Sequence, residues 1–154
     1  MSERTCGFTA AATVAILAGA CFFVLSSRTV PAQEQAQAEA SESKTLARKL
    51  IGTWKLDEAA NPGSPSGIGT RLKMFTGTHW CVIQPSVRTG VIVFQHGGRY
   101  EVDGDTIKTS RDFAGESTKG LIGTSGKFKI KIDGDTLKQS DSQGVYNETW
   151  KRVR

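Results

Sequence analysis

Only three cysteines and two histidines occur in this chain, and that scarcity removes whole classes of chemistry. Cys6 and Cys21 lie in the N-terminal segment, so Cys81 stands alone downstream and no intramolecular disulfide is expected there. Cys81 sits in a strand-like stretch where nothing local singles out a partnering base, and it reads as a small buried hydrophobe rather than a reactive thiol. His79 and His96 fall on different segments without an accompanying carboxylate cluster, so neither a metal site nor any other cofactor is expected. Nucleophile elbows, phosphate-cradling glycine loops and metal-ligand spacings are also missing from the sequence.

Charge of one sign is not concentrated either. Lys and Arg number 20 against 15 Asp and Glu, a net +5. Lys127, Lys129 and Lys131 do align, but they alternate with Phe128, Ile130 and Ile132, as on the outer face of a half-buried strand. Nucleic-acid binding needs a broader basic patch with aromatic platforms, and it is not expected.

Long apolar runs are scarce as well. One uncharged run, Gly7 to Leu25, follows Arg4 and precedes a small-residue exit at Val30 and Ala32. This is the pattern of a secretory signal peptide over residues 1–32, implying a periplasmic or secreted protein. The alternative is an uncleaved anchor, since the run is long enough to span a bilayer; it would be the chain's only membrane contact.

What remains is one domain's worth of sequence. Residues 33–43 contain no large apolar side chain and are expected to form a disordered tether. Ser43 can cap a short helix through Leu50, ended by Gly52, which opens a domain over residues 44–154. From Gly52 onward the period is two: Trp54 with Leu56, Leu72 with Met74, Tyr100 with Val102, Phe128 with Ile130 and Ile132. Turn residues divide the rest into strands expected at 52–58, 70–76, 78–84, 90–96, 98–103, 106–112, 121–132, 135–140 and 145–153. Asp103-Gly104-Asp105 and Asp133-Gly134-Asp135 separate alternating strands in nearly the same words, a strong two-residue hairpin signal. Consecutive hairpins give an all-β, up-and-down antiparallel barrel of about eight strands. One connection, Asp57 to Gly69, is long, polar and rich in Pro and Gly, a loop of the kind that often carries function.

Gly52-Thr53-Trp54 on the first strand resembles the G-x-W signature of lipocalins, and Lys151-Arg152 after Trp150 resembles their C-terminal arginine that packs over that tryptophan. More closely, Leu50 to Val153 resembles an uncharacterised bacterial lipocalin-like family of the calycin superfamily. The pattern runs through Gly52-Thr53-Trp54-Lys55-Leu56, Leu72-Lys73-Met74-Phe75-Thr76, Thr78-His79-Trp80, Gly97-Gly98-Arg99-Tyr100, Asp103-Gly104-Asp105-Thr106 and Glu148-Thr149-Trp150-Lys151-Arg152-Val153. The resemblance implies an eight-stranded barrel whose cup-like interior often holds small apolar molecules. Where that family tends to carry a tyrosine and a glutamate, this chain has Ile107 and Thr109.

The interior positions expected to meet a ligand are Trp54, Met74, His79, Tyr100, Glu148 and Trp150; Gly52, Trp54 and Arg152 are expected to be structural. Parity puts Glu148 on the face of Trp150, with Arg152 or Arg99 as its expected partner and a ligand headgroup as the alternative. His79 shares a face with Cys81 and Ile83, Trp80 shares the other with Val82, and parity does not say which is inside. The function expected is binding of a small hydrophobic or amphipathic molecule inside the barrel. The alternatives are a fully packed structural barrel, and an enzyme using His79 and Glu148 as an acid–base pair.

Overall fold

The computed structural model describes residues 32–154, with side chains from Gln35 onward. The expected export segment therefore lies outside the described residues, apart from Ala32. Helix α1 runs over Ala32–Leu50, so it takes in the stretch expected to be a tether. The reason is composition: Ala, Gln and Glu are strong helix formers, and they outweigh the lack of an apolar face in the first turns. Its last turn is the part that packs, with Leu50 fully buried and Leu46 against the core. Among the described residues no helix is long and apolar enough to cross a membrane.

The strands are β1 (Gly52–Ala59), β2 (Leu72–Phe75), β3 (His79–Pro85), β4 (Ile92–Asp103), β5 (Thr106–Ser110), β6 (Phe113–Ala114), β7 (Ser125–Asp133), β8 (Thr136–Ser140) and β9 (Glu148–Arg152), with a 3-10 segment at Glu116–Leu121. Every neighbouring pair is antiparallel, and pairing of β1 with β9 closes an eight-stranded barrel to which β6 adds a ninth strand along β4. The fold is that of a lipocalin-like barrel. Both Asp-Gly hairpins form, with Gly104 at φ 57° and Gly134 at φ 53°, the left-handed region that glycine adopts without strain.

Two expected strands, 90–96 and 98–103, are one strand in the structure, β4. Gly97-Gly98 is therefore not a turn. A Cβ on Gly97 would lie 2.4 Å from the Trp80 carbonyl oxygen, and one on Gly98 2.3 Å from that of Ser110. These glycines permit close backbone approach where β4 is shared among β3, β5 and β6. Downstream, where a strand is expected from residue 121, Leu121 ends the 3-10 segment and β7 starts only at Ser125.

One end of the barrel is closed by α1. The Trp54 indole is fully buried, donates from Nε1 to the Leu50 carbonyl at 2.9 Å and is covered by the Arg152 guanidinium 4.1 Å from its ring. Arg152 also donates to the Ile51 carbonyl at 2.9 Å. Gly52 (φ 135°) leaves room for this, since a Cβ there would lie 2.7 Å from Arg152 Nη1.

Candidate functional site

Away from that plug, the barrel encloses a cavity of about 50 Å³. Its apolar walls include Phe75, Trp80, Val82, Ile107, Phe128 and Trp150. Its polar lining includes Arg71, Lys73, His96, Arg111, Gln139 and Glu148, all of them buried. Tyr146, 42% exposed, is the most open of the lining residues and marks the side that meets solvent.

Glu148 is held deep in this lining. Its Oε2 accepts from Trp150 Nε1 at 3.1 Å, from Gln139 Nε2 at 3.2 Å and from Lys73 Nζ at 3.3 Å. Lys73 also donates to Gln139 Oε1 at 2.9 Å and lies 4.0 Å from the centre of the Trp150 ring. Glu148 does face inward with Trp150, but its partner is Lys73 rather than Arg152 or Arg99. Arg152 is engaged at the plug, and Arg99 pairs with Asp112 at 3.1 Å on the surface. Burial lowers the pKa of Lys73, and the adjacent Glu148 carboxylate opposes that shift.

Arg71 lies against the long loop. It donates from Nε and Nη2 to Gln84 Oε1 at 3.0 and 2.8 Å and from Nη2 to the Pro62 carbonyl at 3.2 Å. Gln84 Nε2 in turn donates to the carbonyls of Pro65 and Ser66 at 3.1 and 3.2 Å. Thus two side chains from inside the barrel fasten the loop that the sequence marked as a functional candidate. Arg111 donates from Nη1 to Thr124 Oγ1 at 2.9 Å. Its Nε is buried without a hydrogen-bond partner, and so is His96 Nδ1. The His96 ring is edge-on to Trp80 and Phe94, with centroids 5.4 and 5.0 Å away. Burial first, then the positive charges of Arg111, Lys73 and Arg71, push its pKa down to about 4. At neutral pH it is uncharged.

Of the six expected ligand-facing positions, only Glu148 and Trp150 line this cavity. Trp54 and Tyr100 are core residues outside its lining, Tyr100 accepting from the Gly77 amide at 3.1 Å. Met74 and His79 are corrections. In β2 the inward positions are Lys73 and Phe75, with Met74 on the opposite face between Thr53 and Cys81. In β3 the inward residues are Trp80, Val82 and Gln84, which leaves His79 exposed and bonded to Thr78 Oγ1 at 2.9 Å. His79 and Glu148 are therefore on opposite sides of the barrel wall and form no acid–base pair. Cys81 shares the outer face, half-buried, with burial pushing its thiol pKa up and away from thiolate chemistry. Ile107 and Thr109 line the cavity as well. Among the described residues no cluster of His, Cys, Asp or Glu is arranged to hold a metal ion.

Arg71, Lys73, His96 and Arg111 escaped the sequence reading. Lys73 and Arg71 lie on the face opposite the apolar Leu72 and Met74, which misled the choice of inside. His96 sits one residue before a Gly-Gly that reads as a turn.

No protein-family model and no curated protein matches the sequence. Among solved structures, the chain is similar to a lipocalin-like protein from Bacteroides uniformis, with a TM-score of 0.52 and 13% identity over 68% of this chain and 98% of that one. It is likewise similar to an uncharacterized protein from Bacteroides eggerthii, with a TM-score of 0.51 and 15% identity over 66% of this chain and 98% of that one. At such identities the likeness is one of fold alone.

Proposed function

We propose that this chain is an exported protein whose barrel binds a small amphipathic molecule. The observation that carries the reading is the cavity, which combines apolar walls with a buried polar cluster in one enclosure. Its 50 Å³ corresponds to roughly three or four water molecules, enough for a small polar group and its nearest carbons. The remainder of such a molecule would lie along the aromatic side at Phe128 and Tyr146, whose rings meet edge to face at 5.7 Å. A fully packed structural barrel would also have little empty volume. It would not, however, be expected to bury polar nitrogens without partners among its lining residues, because each such group costs free energy to bury.

Two tryptophans of the cavity lining, Trp80 and Trp150, make binding observable. Titrating the full chain with hexanoate and hexan-1-ol should give a saturable change in tryptophan emission with at least one of them. No saturable response to either would return the barrel to the packed structural reading. Export rests on the uncharged run Gly7 to Leu25 and the small-residue exit at Ala32. Intact-mass analysis of protein extracted from its native cell envelope should find Gln33 as the first residue. A species retaining Met1 would favour the anchor.

A further inference from the structure

Resting on that binding reading, we infer that the polar end of the ligand is an anion of carboxylate type, received by Arg111, Arg71 and His96. Three buried cations, Arg71, Lys73 and Arg111, line the same cavity as a single buried carboxylate, Glu148. Glu148 is committed to Lys73, with Gln139 and Trp150 bonded to the same oxygen. Among the described residues no carboxylate oxygen lies within 4.0 Å of the Arg71 or Arg111 guanidinium. Glu148 attracts Arg71 from a distance, but neither guanidinium has a carboxylate in contact to neutralise it. An uncompensated buried ion costs several kcal/mol, and proteins normally pair it.

Unused donors point the same way. Arg111 Nε and His96 Nδ1 are buried and unbonded, and Arg71 binds its protein partners through Nε and Nη2. A carboxylate has two oxygens with about four acceptor sites, and guanidinium groups suit its planar geometry. Neutral His96 in its Nδ1–H form adds a donor without adding charge. A cationic headgroup would meet like charges. A hydroxyl would satisfy one donor and leave both guanidinium charges unneutralised. The walls around Trp80 and Phe128 select against strongly hydrated multivalent anions and for an acid that brings its own carbon chain.

The test compares hexanoate, hexan-1-ol and acetate as ligands of the full chain at pH 7, read by tryptophan emission. Hexanoate should bind at least about tenfold more tightly than hexan-1-ol. Arg111→Gln should abolish most of that preference. Equal affinity for hexanoate and hexan-1-ol in the unmodified protein would overturn the inference even if Arg111→Gln fails to fold. Tighter binding of the alcohol would do the same. If neither six-carbon ligand nor acetate binds, the binding reading itself fails. Acetate matching hexanoate would uphold the anion site and overturn the amphiphile.

Discussion

Converting Glu148 to Gln removes one charge from the centre of the cavity and leaves its shape nearly intact. Lys73 would keep its bond to Gln139 Oε1 at 2.9 Å and its place over the Trp150 ring, but it would lose the carboxylate at 3.3 Å that offsets its burial. Both side chains of the pair are almost fully buried, at 7% and 6% exposure. Breaking such a pair from one side costs roughly 3–5 kcal/mol, because it strands the other charge. Deprotonation of Lys73 limits that cost, since burial has already lowered its pKa. Lys73→Met alone strands Glu148 and should cost a similar amount, about 3–5 kcal/mol. The double variant Lys73→Met/Glu148→Gln leaves no stranded charge, so it should be more stable than either single variant. Urea denaturation of the four proteins at pH 7 completes the cycle. Losses that simply add in the double variant would show that the two residues are not energetically paired, and the account of the cavity's charge balance would fall.

Trp54→Ala should cost about 3–5 kcal/mol, as a large buried ring is deleted and Arg152 loses the face it covers; a loss below about 1 kcal/mol in the same denaturation assay would contradict its role in the plug. Acidification should destabilise the barrel through His96, whose pKa is about 4 in the folded protein against an ordinary value of 6.5. The unfolded chain binds the proton more readily, so the contribution is intact above pH 6.5, declines as pH falls, and is lost by pH 4. The shift is worth roughly 3 kcal/mol. Asp103 and Asp112, lowered from 3.8 by Lys108 and by Ser110 respectively, titrate below that window. His96→Asn should therefore flatten the dependence of stability on pH between pH 6.5 and 4, and an unchanged slope would show that His96 is not the group responsible.

Much of the barrel was legible because hairpin chemistry and a period of two are local properties. Phe128 and Ile130 point in and their lysine neighbours point out, as expected from alternation alone. Gly104 and Gly134 turn where Asp-Gly requires it. Parity divides a strand into two faces but does not say which is buried. That choice normally rests on apolarity, which fails where the interior itself is charged: β2 buries Lys73 and leaves Met74 half-exposed. In β3 both faces are apolar enough to be inside, and only pairing with β4 decides for Trp80 and Val82. The site was obscured for the same reason, since Arg71 and Lys73 meet Arg111 only when two distant segments close around one space. Glu148 could be found from the sequence because it shares a short strand with Trp150, an unmistakable core residue.

The central claim is that the interior of this barrel is a receptive, positively charged cavity rather than a packed core. A crystal structure of the full chain grown with hexanoate tests it most directly. The carboxylate should occupy the cavity at about 2.7–2.9 Å from Arg111 Nε or a free Arg71 nitrogen, with His96 Nδ1 donating to it. A cavity filled only by ordered water, or hexanoate bound solely at the outer surface, would contradict the claim.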